Sequence, residues 1–208
     1  MIIAVDGPSA AGKGTLARGI AQHYGFHFLD TGSLYRMVGL QMLRTQTDFL
    51  NVAKASEIAC NLNVSDFKDH ELRGEVLGAA ASQVAVIPEV RAALLNFQRD
   101  FAKRKPGAVL DGRDIGTVIC PDADVKFFIT ASVEARSLRR FKELQDLGVA
   151  ATLEAVTADI KARDARDASR ATAPTKAAAD AIVIDTSELG VEEALQQVLA
   201  AIKAKAGL

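Results

Sequence analysis

The first residues that could do chemistry lie in GPSAAGKGT, Gly7 to Thr15. The stretch nearly fits the phosphate-binding pattern G-x-x-x-x-G-K-[ST]. Glycines let backbone N–H groups wrap an anion without Cβ clashes. Lys13 adds a full positive charge, and as a loop lysine it is expected to be solvated without a ligand. Gly7, Pro8, Ser9, Ala10, Ala11, Gly12, Lys13, Gly14 and Thr15 are therefore candidates to cradle a polyphosphate. The hydroxyl that should follow the lysine is displaced: Gly14 stands there, and Thr15 offers the hydroxyl one residue late.

Three further stretches could act on the same kind of ligand. DTGSLYR, Asp30 to Arg36, offers the Thr31 hydroxyl and the Arg36 guanidinium to a second phosphate. The alternative is a helix capped by Thr31 with an ordinary surface arginine. DGRDIGT, Asp111 to Thr117, places Asp111 where an acid can hold a magnesium ion through water. Arg113 and Asp114 follow, and such a pair can read a base edge. A carboxylate accepts from the exocyclic amine of cytosine, and a guanidinium donates to its ring acceptors. A structural Arg–Asp ion pair is the alternative. In KARDARDASRATAP, Arg163, Arg166 and Arg170 fall on one narrow stripe at about 100° per residue, with Asp167 beside it. Either these arginines neutralise a multi-phosphate ligand, or Asp167 pairs with Arg163 and Arg170 on an exposed salt-bridged face. Arg136, Arg139 and Arg140 make a second stripe, of which one reaches phosphate or all only decorate a helix.

Short apolar runs must position these residues. Ile2–Val5, His27–Asp30, Ala108–Asp111, Val125–Thr130 and Ala181–Asp185 read as strands. Helical spacing covers Lys13–Tyr24, Ser33–Arg44, Val52–Asn61, Glu89–Arg104, Val133–Leu147, Leu153–Ala168 and Val191–Lys205. Five strands separated by helices predict an α/β fold with a five-stranded parallel sheet in three layers. Ligands on such sheets sit beyond the C-terminal strand ends, where the polar stretches above fall. Two segments break the alternation. Residues 62–87 read as an inserted substrate-side segment, and 148–179, punctuated by Pro174, as a mobile lid on a single domain.

Composition sets limits. The 208 residues are 49% apolar and 25% charged, ordinary for a soluble protein. A net charge of −1 gives no global pull toward nucleic acid or an acidic membrane. No apolar run approaches the roughly 20 residues of a membrane span, and the N-terminus enters a strand with no basic stretch before it. Cys60 and Cys120 match no metal spacing, nor do His23, His27 and His70, so reduced thiols and a cytoplasmic protein are expected.

GPSAAGKGT, LDTGSLYR, AASQVAVIPEVR, LDGRDIGT and RDARDASRATAP, in this order, resemble the bacterial cytidylate kinases over nearly the whole chain. The resemblance implies a P-loop kinase fold and transfer of the γ-phosphoryl of ATP to CMP, and to dCMP, with Mg²⁺ as cofactor. It implies that G-K-G-T is a working variant of the loop, in which Thr15 is the magnesium-side hydroxyl or a second phosphate contact. Thr31 and Arg36 would hold the acceptor nucleotide, and Ser82, Arg91 and Asp114 would read cytosine. Arg113 would bind the acceptor phosphate and Asp167 the sugar. Arg163 and Arg170 would close over the phosphates, and Lys13 would follow the transferring group. A monomer without nucleic-acid or membrane partners is expected. The chain departs from the family in NVSDFKDHELRGEV, shorter than the hairpin usual there. The remaining alternatives are a kinase of UMP, AMP or another small acceptor, and a nucleotide-binding switch. The latter is weakened because TKAA at Thr175 lacks the aspartate of a guanine-reading signal.

Overall fold

The computed structural model describes residues 1–72, 74–170 and 172–207. Arg73 of the expected insert and Ala171 of the expected lid lie outside the described residues. The chain divides into two compact units, one of Met1–Leu29 with the chain from Ala102 onward, the other Asp30–Phe101.

The first unit is built on a parallel sheet of β1 (Ile2–Asp6), β2 (His27–Asp30), β3 (Ala108–Asp111), β4 (Val125–Thr130) and β5 (Ile182–Asp185), in the order β2-β3-β1-β4-β5. β1 pairs Val5 with Asp111 of β3 and Asp6 with Phe128 of β4. Strands buried on both faces read as unbroken apolar runs, as Ala108–Leu110 and Ile3–Val5 do. The edge strand β5 instead alternates, with Ile184 buried and Val183 exposed. Helices α1 (Lys13–Tyr24) and α8 (Val191–Ala206) pack together over one face. Leu16, Ile20, Val198 and Ile202 meet Ile3, Val5, Phe127 and Ile129 there. The chain runs from β1 outward to β2 and β3, then returns to β4 on the other side. Such a reversal of strand order opens a crevice at the strand ends, and the loop after β1 sits in it.

Helices α6 (Val133–Asp146) and α7 (Leu153–Ala168) start at hydroxyl caps. Ser132 Oγ accepts from Ala135 N at 3.1 Å and Thr152 Oγ1 from Ala155 N at 3.2 Å. Leu144 of α6 packs on Val156 and Ile160 of α7.

The second unit holds α2 (Thr31–Arg44), α3 (Val52–Cys60), α4 (Glu75–Val84) and α5 (Pro88–Ala102). Leu34, Val38 and Met42 of α2 share a core with Ala55, Ala81, Val84 and Val90. Strand and helix ends lie within a residue or two of expectation: β1 runs through Asp6, β5 starts at Ile182, and α2 starts at Thr31. Residues 62–87 carry two short 3₁₀ turns and α4, which periodicity did not resolve. The shortened stretch is held to α2 by Arg44, which meets Glu71 at 2.6 Å and lies over the Phe67 ring. Both thiols are free; Cys120 is buried and Cys60 exposed. Among the described residues, no single helix is long and apolar enough to cross a membrane.

Candidate active site

The loop from Gly7 to Gly12 leaves β1 and turns into α1. Its first glycine is required by space. A Cβ at Gly7 would lie 1.9 Å from the Ile129 carbonyl oxygen, so the loop crosses β4 closer than any side chain allows. Gly12 caps α1 in the left-handed region, and Lys13 is the first helical residue. A helix N-terminus carries unsatisfied N–H groups and partial positive charge, suited to phosphate. Gly14 has a spatial reason too. A Cβ there would lie 3.2 Å from Oδ2 of Asp111, so the acid of β3 stands where the usual serine or threonine would project. Thr15, which carries the displaced hydroxyl, is exposed and lines the cavity beside the loop.

The expectation of a solvated Lys13 is corrected. Lys13 is 5% exposed, and its Nζ donates to the Pro8 carbonyl at 2.7 Å. Burial, then the Arg113 guanidinium, pulls its amine from 10.5 down to about 7, with Asp111 acting the other way and Arg163 adding to the depression. Lys13, Arg113 and Arg163 thus crowd positive charge at the strand ends, close enough to act on one another. Such a cluster is costly without an anion and is what a polyphosphate would neutralise.

Asp167 organises the arginines. It is almost fully buried, accepts from Arg113 Nε at 3.0 Å and pairs with Arg170. The expected pairing with Arg170 is present. The exposed face is not, because a guanidinium from the loop after β3 covers the carboxylate. The second stripe is also not plain surface. Arg136 is buried, donates to Ala131 O at 2.9 Å and Ser9 O at 3.2 Å, and meets Asp164 at 2.7 Å. It ties α7 to the phosphate loop. Arg139 donates to the Thr186 hydroxyl at 3.0 Å and to the Thr186 carbonyl, while Arg140 pairs with Glu143 at 2.9 Å.

These contacts wall a cavity of about 260 Å³ next to the loop, lined by Thr15, Leu16, Arg139, Thr186, Leu189 and Val191 among others. It is mostly apolar with a few polar groups and somewhat below the usual size for a whole ligand. One flat base fits that description. Thr186 holds its floor, donating at 3.1 Å to the carbonyl of Ala11 or of Thr130. Sequence reading missed this cavity, although the polar strand end IDTS marked its position.

The loop after β3 is gripped by β1. Gly112 N donates to Val5 O at 3.0 Å, and the Asp6 carboxylate accepts from Ile115 N at 2.8 Å and Gly116 N at 2.7 Å. Burial pushes the Asp6 carboxyl up to about 7, against the two N–H bonds. Asp114 is buried and caps the π turn Ile115–Ile119. Asp6 was not singled out from sequence; a charge closing an apolar strand was the available signal.

In the second unit, Thr31 lies in the first turn of α2 and the cap falls on Asp30, not on Thr31. Asp30 accepts from Arg36 Nη1 at 3.3 Å. Ser82 is buried on α4. Arg91 of α5 is buried, its guanidinium 5.6 Å from the Tyr35 ring centre, and it donates to Ala85 O at 3.3 Å.

A phosphate loop after the central strand, a cationic cluster and a base-sized cavity beside it define a P-loop kinase. Shikimate kinase from Bacteroides thetaiotaomicron has the same fold, with a TM-score of 0.51 at 14% identity over 97% of each chain. A protein from Eubacterium ventriosum superposes with a TM-score of 0.59 at 17% identity, over 98% of this chain and 99% of that one. Residues 3–204 match the cytidylate kinase family. The chain is 53% identical to the cytidylate kinase of Azorhizobium caulinodans over the full length of both proteins. It is 53% identical to that of Paramagnetospirillum magneticum, over 98% of each, and 50% identical to that of Rhodopseudomonas palustris, over 98% of this chain and 96% of that one. The chain belongs to the cytidylate kinase family and is a nucleoside monophosphate kinase.

Proposed function

We propose that the chain transfers the γ-phosphoryl of ATP to CMP and dCMP, with residues 148–179 acting as the lid and residues 62–87 serving the acceptor. The observation that carries this is the pairing of Val5 with Asp111. It sets the donor's phosphate loop and the Arg113–Asp114 pair at adjacent ends of two bonded strands.

The donor phosphates lie in Gly7–Thr15 and the adenine in the cavity lined by Leu16, Arg139 and Val191. Thr31 and Arg36 bind the acceptor nucleotide, with Arg36 near its phosphate, and Ser82, Arg91 and Asp114 bind cytosine. The acceptor phosphate engages Arg113, which frees a carboxylate oxygen of Asp167 for a sugar hydroxyl. The acceptor oxygen attacks the γ-phosphorus in line. Lys13, Arg163 and Arg170 take up the charge on the transferring oxygens, and positioning does most of the remaining work. With α7 over the phosphates, water is excluded and ATP is not simply hydrolysed.

The residues present fit Mg²⁺. The Asp111 carboxylate lies against Gly14 at the start of α1. Among the described residues no group of three or more His, Cys, Asp or Glu forms a cage. Mg²⁺ keeps several waters and takes one or two carboxylates with substrate phosphates. Asp111 would hold it through water and Thr15 by its hydroxyl; when bound it neutralises charge between the phosphates. Thr15→Val should raise the KM for Mg·ATP about tenfold, the scale of one hydrogen bond to a charged group, and leave the KM for CMP unchanged. Thr15→Ser should be mild. Steady-state kinetics over a magnesium titration checks this: an altered magnesium dependence assigns the hydroxyl to the metal. If that dependence is unaltered, the hydroxyl is only a helix-start contact.

Asp114→Asn tests the acceptor. Cytosine presents an amine at C4 and uracil a carbonyl, which a carboxylate repels. An unmatched buried polar group costs roughly 1–3 kcal/mol, or about ten- to a hundredfold in discrimination. The variant should lower kcat/KM for CMP and narrow the gap to UMP, with the KM for ATP nearly unchanged. An unaltered CMP/UMP ratio would remove Asp114 from base reading.

A further inference from the structure

Two consecutive residues of β1 hold the Arg113–Asp114 dipeptide from both sides. Before it, Val5 O accepts from Gly112 N at 3.0 Å. After it, the two oxygens of Asp6 accept from Ile115 N at 2.8 Å and Gly116 N at 2.7 Å. The π turn closes behind this seat, with Val118 N and Ile119 N donating to Asp114 O at 2.9 and 3.2 Å and Cys120 N to Ile115 O at 2.7 Å. The next residue after Asp6 is Gly7, where the phosphate loop crosses β4 with no room for a side chain.

Asp6 is 4% exposed. A buried carboxylate is costly, and a backbone-only junction, or an asparagine bonded to one N–H, would hold a loop less expensively. What the carboxylate adds is two acceptors in one rigid fork, which fixes both the position and the rotation of the turn it grips. The groups so fixed are Arg113 and Asp114. Resting on the reading of this pair as the acceptor contact, we propose that Asp6 is a positioning residue for acceptor specificity. It aims the Arg113–Asp114 pair at the incoming nucleotide and locks it to the strand that carries the donor loop.

The test compares Asp6→Asn, Asp114→Asn and the unmodified enzyme in steady-state kinetics with CMP, UMP and ATP, with thermal unfolding alongside. Asp6→Asn keeps size but turns an amide NH₂ toward one of the two N–H groups. It should lower kcat/KM for CMP by about ten- to a hundredfold, the scale on which an ångström of misplacement acts, and should narrow the CMP/UMP ratio. The KM for ATP should stay within about twofold, since the donor loop keeps its own contacts. A purely structural role would lower activity with both acceptors equally. A wild-type CMP/UMP ratio in Asp6→Asn therefore overturns the proposal, whatever its overall activity. If Asp114→Asn also leaves the ratio unaltered, the acceptor reading itself falls. If only Asp114→Asn shifts it, this proposal alone falls. Should Asp6→Asn not fold, Gly116→Ala decides. Its Cβ would press on the Lys126 side chain at 3.1 Å and come into contact with Asp6 Oδ2 at 3.4 Å. It crowds the same seat, and it must narrow the CMP/UMP ratio if the proposal holds.

Discussion

Lys13→Ala should cut kcat by about three orders of magnitude or more, at or beyond the loss seen when one preorganised donor to a developing oxyanion is removed. The size follows from where the amine sits. It is buried, held by the Pro8 carbonyl at 2.7 Å, and crowded by Arg113 and Arg163. In a water-excluded site each charge acts more strongly than in solvent. The same burial predicts the effect on folding. The amine falls from 10.5 to about 7 in the native state, so between those values the unfolded chain binds more protons than the native one. Stability of the unmodified protein should therefore rise with pH across that window, and Lys13→Ala should lose that slope. The variant should be at least as stable as the unmodified protein near neutral pH, because a buried charge has been removed. Denaturant unfolding at pH 7 and pH 9.5, paired with CMP-dependent ATP turnover, checks both parts. A variant with unmodified kcat would contradict the role, and a pH slope that survives would mean another group carries it.

The phosphate loop, the strands and most helix ends were legible because they depend on short-range features. Short apolar runs such as Ala108–Leu110, bounded by turn residues, read as buried strands, and Lys13–Tyr24 follows a glycine turn with helical spacing. What escaped was contact across long stretches of chain. Nothing local says that Asp167 is covered by Arg113, fifty-four residues away, or that Arg136 reaches back to Ser9. A helical wheel gives the face a residue occupies, not what lies on it, so Arg136 stayed open between reaching phosphate and decorating the helix. α4 failed for another reason. LGAAASQV is small and apolar nearly all round, which leaves no polar face to set a period. It is small because α2 comes close: a Cβ at Gly39 would lie 2.9 Å from Cβ of Ala80. Lys13 was misjudged because lysines are usually exposed, and only the loop's fold over its side chain reverses that. The displaced hydroxyl of Gly14–Thr15 was legible as an anomaly but not as a solution. Its reason, the carboxylate of Asp111 in that space, belongs to another strand.

Asp167→Ala should combine the largest loss of stability with a loss of activity second to that of Lys13→Ala. The carboxylate stands between two guanidiniums, Arg113 at 3.0 Å and Arg170. The side chains of Arg113, Arg170 and Asp167 are 18%, 7% and 3% exposed. Breaking such a buried group by removing one partner costs about 3–5 kcal/mol, because the remaining charges stay buried without compensation. A surface pair would cost under about 1 kcal/mol, so the measurement tests the burial of this cluster. Activity should fall too, since Arg113 loses the partner that orients it and the sugar loses its proposed acceptor. A misplaced phosphate contact costs about a hundredfold, and kcat/KM for CMP should drop by at least that factor. Two measurements divide the effects. Denaturant unfolding without nucleotide reads the ion cluster, and kinetics well below the unfolding temperature read the site. Added phosphate should partly restore the variant's stability, because an anion between Arg113 and Arg170 replaces the missing carboxylate. If stability falls by less than about 1 kcal/mol and phosphate does nothing, the cluster is a solvated face and Asp167 matters only through substrate. If stability falls as expected but kcat/KM for CMP is unaltered, Asp167 is structural and the sugar contact must be assigned elsewhere.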